Sequence, residues 1–387
     1  MPHQTGTRAV DGRQRPPWAD QVSEDPDYLS RQLITYIGNK RALLAPLAVA
    51  VSRVKARLGR ERLRILDAFA GSGVVSRFFK GQATFLASND IEDFAAVIAR
   101  CYLRNRSSVD WETLCCLVHQ LNGQVDDPGF VPGFIEELYA PGDENQITAQ
   151  DRVFYTRRNA RRLDNYRRLL ETIEPQYREL LLGPLLAEAS VHANTAGVFK
   201  GFYKDRRTQV GQFGGSHSDA LARIRGEIRL EPPVLSRFEC EVAVYQEDAN
   251  ALVRRLPGLD LAYFDPPYNQ HPYGSNYFML NLLVHYERPQ RISRVSGIPE
   301  GWRRSAYNVR TRSLAQMRDL LQAVDAPFIL VSFSDEGFIR PADMRQLLGE
   351  IGALQVIETP YNAFRGSRNL RNRSIHVTEQ LFLVERR

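Results

Sequence analysis

The chain has 387 residues, 43% of them hydrophobic, which is enough to bury a core of more than one layer and excludes a disordered or fibrous class. Its 51 basic residues against 45 acidic ones give a net charge of +6 and a pI near 9.2, which permits a polyanionic partner without requiring one. No apolar run approaches the roughly 18 residues of a membrane span, and Cys101, Cys115, Cys116 and Cys240 lack the spacing of a zinc or redox site, so no metal is expected and reduced thiols in a cytoplasmic protein are.

Residues 1–28 are polar and Pro-rich and read as a flexible segment. After them comes Thr35-Tyr36-Ile37-Gly38-Asn39-Lys40, and then Leu43, Leu47, Val51, Val54 and Leu58 at helical spacing, ended by Gly59. A strand over 63–67 runs into Asp67-Ala68-Phe69-Ala70-Gly71-Ser72-Gly73, a glycine turn ahead of a helix whose first N–H groups are free. A dinucleotide-binding loop is the competing reading. Ser76 stands where its third glycine would be, and Asp67 at the strand end suits an amine or a cation better than a pyrophosphate.

A second strand, 84–88, closes on Asn89-Asp90, where an acidic side chain can grip ribose hydroxyls, and Ile91 to Leu103 reads as a helix. About 140 residues then pass before the next strand, far more than a crossover needs, so 106–238 reads as an inserted, mainly helical domain. Residues 151–230 of it hold fifteen basic and nine acidic side chains.

Strands are next expected at 242–246 and 260–264, the second running into Asp265-Pro266-Pro267-Tyr268. Two prolines remove two N–H donors and keep the chain extended, so the Pro266 carbonyl stays open beside the Asp265 carboxylate. Two acceptors and an aromatic face suit a planar base carrying an exocyclic amino group. Four residues of this kind also make an ordinary strand-end turn. Residues 288–318 follow with eight arginines against one acid, Glu300, and further strands are expected at 328–333, 354–358 and 378–384, with four more arginines in 365–373. Alternating strands and helices predict an α/β fold: a doubly wound, mostly parallel Rossmann-like sheet built from 29–105 and 239–387, with Asp67, Asp90 and Asp265 at strand carboxyl ends.

The segment at 35–40, the Asp67 to Gly73 loop and the Asp265 to Tyr268 run, in this order, resemble the D12-class DNA adenine-N6 methyltransferases, especially those of restriction–modification systems. Further similar pieces are Phe154-Tyr155-Thr156 with Asn159-Ala160 and Asp164, the stretch from His192 to Phe202, Asn276-Tyr277, and Val331 to Gly337, so that the resemblance spans roughly residues 30 to 385. It implies S-adenosylmethionine as cofactor, lying over Asp67, Phe69, Ala70, Gly71, Ser72 and Gly73 and reaching Asp265, with Asp90 on its ribose, Asp248 near its adenine, and Tyr36 and Gly38 on the opposite wall; Lys40 is assigned to the cofactor, with DNA or a structural carbonyl as its alternative partners. Double-stranded DNA is the implied partner, read by 106–238. A flipped adenine would stack on Tyr268 and donate N6 to Asp265 and the Pro266 carbonyl, with Pro267 stiffening the turn and Tyr277 either lining the base pocket beside the DNA or packing in the helix that follows. Arg303, Arg304, Arg310 and Arg312 are assigned to phosphates, and a cognate restriction endonuclease is the partner that such a system implies. The rival readings are an N4-cytosine or RNA amino-methyltransferase and a non-catalytic, cofactor-bound DNA-binding factor.

Overall fold

The computed structural model describes residues 24–215, 218–334, 337–362 and 376–387. The arginines of 365–373, and Asp335 and Glu336 of the stretch from Val331 to Gly337, lie outside the described residues.

The chain opens on α1 (Pro26–Ser30), capped by Asp25, then α2 (Leu44–Leu58), in which Leu47, Val51 and Val54 of the expected stripe are buried and Leu58 partly so, with Leu43 buried in the turn just ahead; its C-cap Gly59 takes φ +63. The reading of 1–28 as flexible is corrected at its end. Tyr28 is wholly buried and donates to the Tyr102 carbonyl at 2.8 Å, and Arg77 caps the segment by donating to the Tyr28 carbonyl.

The sheet is built from β1 (Leu63–Asp67), β2 (Ala83–Asn89), β3 (Glu241–Tyr245), β4 (Leu261–Phe264), β5 (Phe328–Ser334), β6 (Gly352–Asn362) and β7 (His376–Arg386), in the order β3-β2-β1-β4-β5-β7-β6. The pairs from β3 through β5 are parallel, and β7 runs antiparallel to both β5 and β6. Each of the seven expected strands is present, with β6 and β7 longer than their apolar cores suggested. After β1 the chain winds outward through β2 and β3, and β4 then returns to the other flank of β1. The carboxyl ends of β1 and β4 therefore face the crevice where winding reverses, the place where sheets of this kind hold ligands.

Between β1 and β3 lie α3 (Val74–Lys80), α4 (Asp93–Tyr102), α5 (Trp111–Gln124), α6 (Phe134–Tyr139), α7 (Arg157–Glu171), α8 (Pro175–Val191) and α9 (Leu221–Arg225). The segment 106–238 leaves and rejoins the sheet at one point. Asn105 Nδ2 donates to the Cys240 carbonyl at 2.9 Å and the Ser107 amide to Glu239 at 2.8 Å. Its helices are not packed as a separate globule: Leu114, Leu121, Leu163, Tyr166 and Leu181 share one core with Phe94 and Ile98 of α4.

The second half adds α10 (Ala249–Val253), α11 (Tyr273–Asn276), α12 (Phe278–His285), α13 (Arg310–Ala323) and α14 (Pro341–Ile351). Met279, Leu280 and Leu283 of α12 enter the same core as α4 and α8, while α10, α13 and α14 cover the other face of the sheet. The segment after the catalytic-type turn is thus packed against α4 and α8.

Candidate active site

The strand ends open into a cleft whose empty space, the open mouth included, is about 660 Å³. Asp90, Glu92, Glu247, Asp248 and Asp265 bring carboxylates to its wall, against the guanidinium of Arg303. Such a wall repels a pyrophosphate and attracts a ligand carrying positive charge, which decides against the dinucleotide reading.

Asp90 is fixed from behind. One of its oxygens accepts the Gly71 amide at 2.7 Å and the other accepts the Glu92 amide at 2.9 Å. Burial raises its carboxyl above the usual range, and these amides counter the rise. Asp248 caps α10 by accepting the Ala251 amide at 3.0 Å. Phe69 packs edge-on against Tyr307, with ring centroids 5.4 Å apart, and closes the floor.

The segment 36–40 braces the site at three points. The Tyr36 ring lies on Gly71, so close that a Cβ there would sit 2.7 Å from it, and it stacks against both Tyr273 and Tyr277 at centroid distances of 5.0 Å. Gly38 takes φ +76, and a Cβ on it would lie 3.0 Å from the Tyr268 hydroxyl. Lys40, only 3% exposed, places Nζ 3.2 Å from the Asp265 carboxylate and 5.5 Å from the centre of the Tyr268 ring.

The expected cofactor residues therefore divide. Tyr36, Phe69, Asp90, Asp248 and Asp265 line the cleft together with Pro267. Ala70, Gly71, Ser72 and Gly73 are buried, and Tyr36 covers Gly71, so these four support the cleft from beneath. Gly38 and Lys40 serve the Tyr268 side. Asp67 is wholly buried, accepts the Ser76 hydroxyl at 2.6 Å, and does not reach the cleft wall. Burial pushes its carboxyl up to about 7, the Ser76 bond opposes this, and the Asp265 charge adds to it. The serine in the third-glycine position thus has a role of its own.

One expected DNA residue is corrected. Tyr277 is wholly buried and its hydroxyl accepts the Ile37 amide at 2.8 Å, so it holds the bracing segment and presents nothing to a duplex. Arg303 is 45% exposed and lies at the cleft rim, where it donates to the Ile91 carbonyl at 2.6 Å and pairs with Asp93 at 3.1 Å. Arg304 and Arg312 are exposed, Arg304 lying over Trp302 at 4.4 Å, and Arg310 lies over Phe338 at 5.1 Å.

Local ion pairs also absorb much of the arginine excess at 151–230. Arg157 and Arg161 both reach Glu136 at 2.9 Å, Arg162 pairs with Asp126 and Glu227, and Arg167 reaches Glu171 at 2.7 Å. Asn194 holds the Val153 and Gln212 carbonyls, and Asp164 accepts the Ile135 and Glu136 amides and the Tyr286 hydroxyl; both are framework residues.

Residue-by-residue reading missed Asn89, Glu92, Glu247, Ser305, Tyr307 and Asn308, all on the cleft wall. Glu92 and Asn89 adjoin Asp90 and were reachable by extending the strand-end argument. The Ser305 to Asn308 strap, tied to the catalytic-type turn by Asn308 donating to the Asn269 carbonyl at 2.8 Å, carries no such signal.

Known proteins match along most of this framework. The chain is 26% identical to the Type II methyltransferase M.NlaIII of Neisseria lactamica over 361 residues, covering 91% of this chain and 99% of that protein. It is 28% identical to the modification methylase StsI of Streptococcus sanguinis over 91% of this chain, though it spans only 52% of that longer protein. To the Type II methyltransferase M.CviAII of Paramecium bursaria Chlorella virus 1 it is 27% identical, over 91% of this chain and 98% of that protein. A family profile described as D12 class N6 adenine-specific DNA methyltransferase runs over residues 36–345, from the bracing Tyr36 through the cleft and the Asp265 turn into α14. A match of that extent, over the residues that build the cleft, makes this chain a member of the D12 class N6 adenine-specific DNA methyltransferase family and an enzyme that methylates adenine in DNA.

Proposed function

We propose that the methyl donor is S-adenosylmethionine, held in the acidic cleft, and that the acceptor is an adenine swung out of duplex DNA onto Tyr268. The observation that carries this reading is the double membership of Asp265. It lines the cleft beside Asp90 and Asp248, and it begins the run whose tyrosine Gly38 and Lys40 brace. The residues suit the donor: Asp90 is fixed to accept ribose hydroxyls, and the surrounding carboxylates favour a molecule with an ammonium and a sulfonium. When bound, S-adenosylmethionine supplies an electrophilic methyl group.

This chain's residues orient the acceptor. The adenine ring stacks on Tyr268, and its two N6 hydrogens are drawn to the Asp265 carboxylate and the Pro266 carbonyl. The N6 lone pair would then be drawn out of conjugation with the ring and be free to take the methyl group, the methyl–sulfur bond breaking and the donor leaving as its neutral thioether. The extra proton is lost afterwards, since N6 becomes acidic on methylation and no strong base is needed. Catalysis is mostly positioning and stabilisation of the positive charge that develops on N6.

On this reading Arg304, Arg310 and Arg312 hold phosphates, 106–238 carries recognition of the DNA word, and the protein works in the cytoplasm. The names of the relatives, Type II methyltransferases and modification methylases, favour a restriction–modification role with a cognate endonuclease as partner. The test is transfer of tritiated methyl from S-adenosylmethionine to duplexes whose only acceptor is adenine or cytosine, and to RNA, with long-read mapping of modified bases in a host expressing the chain. Labelling of adenine duplexes at one mapped sequence is expected. Labelling confined to cytosine or RNA overturns the proposal.

A further inference from the structure

Between α12 and α13 the chain makes a short hairpin, with Ile292 and Pro299 bridged antiparallel. Its tip is stiff. The Ser293 amide donates to the Ile298 carbonyl and the Gly297 amide to the Ser293 carbonyl, both at 2.9 Å, and the Ser293 and Ser296 hydroxyls meet at 2.7 Å. It is also anchored from behind: Tyr139 donates to the Gly297 carbonyl at 2.8 Å and Arg152 to the Arg294 carbonyl at 3.1 Å. Gly297 has φ +67, and a Cβ on it would lie 2.7 Å from both anchoring side chains, so glycine is required there.

What this stiff tip presents is Val295, 57% exposed, next to the exposed Arg294. The side of the hairpin formed by Ile292, Ser296 and Ile298 shares one open groove with Gln270 and Pro272 of the catalytic turn and with Arg304. More than half of this apolar side chain stays in water, and that part of its surface gains nothing from packing within the chain. Arg291 and Arg294 lie in the same hairpin, and its acid, Glu300, lies 3.8 Å from Arg291.

We infer that Val295 is an apolar wedge that enters the base stack of duplex DNA beside the extruded adenine, with Arg294 on the adjoining backbone. The inference rests on the adenine methyltransferase reading. Base faces offer the apolar surface and phosphates the anionic surroundings that this tip matches, and proteins that distort duplex DNA commonly place such a side chain between base steps. Extruding an adenine leaves a gap in the stack and breaks a pair. Val295 offsets part of that cost by filling the gap.

The experiment uses the full chain and a duplex carrying the mapped recognition sequence, with full wild-type activity on it verified first. That control separates a failure of the wedge from a failure of the methyltransferase reading. Val295→Ala, an exposed change that leaves the core intact, is expected to lower kcat/KM on the matched duplex by about tenfold and to return within about twofold of wild type when an abasic site faces the target adenine. Val295→Leu keeps wild-type activity on both. With 2-aminopurine in place of the target adenine, Val295→Ala gives a smaller fluorescence rise on binding. Wild-type activity of Val295→Ala on the matched duplex, or an equal loss on both duplexes, overturns the wedge.

Discussion

Lys40 reaches across the site to Asp265 at 3.2 Å, and the two arrive there from opposite ends of the fold, Lys40 just ahead of α2 and Asp265 at the tip of β4. Lys40 is almost wholly buried while Asp265 keeps 16% of its surface open to the cleft. A buried ammonium at this distance favours the ionised carboxylate, the form that accepts a hydrogen bond from an amino group. Removing either partner leaves a charge uncompensated.

Asp265→Ala is expected to abolish methyl transfer, by roughly a thousandfold or more, while cofactor affinity changes only a few fold, because Asp90 and Asp248 remain in place. Lys40→Met is expected to follow it in direction with a smaller loss, about a hundredfold, through misplacement of Asp265 and Tyr268. Single-turnover rates with calorimetry of cofactor binding separate the two quantities. Turnover near the wild-type rate in Asp265→Ala would sink the mechanism.

Gly38→Ala tests the brace from the other side. The substitution places a side chain in left-handed backbone, at a cost of about 1–2 kcal/mol, and drives a methyl group to within 3.0 Å of the Tyr268 hydroxyl. Catalysis should fall more than stability, because Tyr268 yields before the sheet does. A thermal melt lowered by a few degrees with no change in kcat would mean that Tyr268 does not carry the base.

Arg303 and its neighbours should part company, although they are adjacent in the chain. Arg303 is committed to Asp93 and the Ile91 carbonyl at the cleft rim, so Arg303→Ala is expected to weaken cofactor binding by about 1–2 kcal/mol and leave the salt dependence of DNA binding nearly unchanged. Replacing Arg304 and Arg312 together should flatten the plot of log affinity against log salt by about one to two units on cognate and random duplexes alike. Fluorescence anisotropy at several salt concentrations checks both. A double variant with the wild-type slope and a relaxed recognition sequence would reverse this assignment.

The contrast also shows how far sequence reading goes. Strand ends were legible because a short apolar run closed by Asp, Asn or Pro has few other uses, and Asp67, Asp90 and Asp265 all fall where those runs predicted. Which of them faces the ligand was not legible. Asp67 turns under the sheet to Ser76 because its strand is central and covered, a fact of packing that pattern alone does not contain. Counts of charge failed in the same way: they register Arg157, Arg161 and Arg162 as free cations, and pairing with Glu136, Asp126 and Glu227 depends on helices brought together only by the fold. The bracing by Tyr36, Gly38 and Lys40 follows from one short segment lying across both strand ends, a contact remote in sequence.

The buried carboxyl of Asp67 gives a pH signature. Its folded pKa is raised to about 7 from an ordinary value near 3.8, so the native state keeps a proton that the unfolded chain has already released at intermediate pH. Stability must then fall as pH rises through that window, because the unfolded state binds fewer protons there. The loss is complete only above the folded pKa, where a charge has been forced into the interior beside Asp265. Asp67→Asn cannot ionise, so between pH 5 and pH 8, a window set by about the two pKa values, its melting temperature should decline less than that of the wild type. The slope carries the test rather than the absolute melting temperature, since an amide in place of the carboxyl also alters the bond to Ser76. Parallel slopes for the two proteins would show that Asp67 is ionised throughout, and that the Ser76 hydroxyl and its neighbours hold a buried charge.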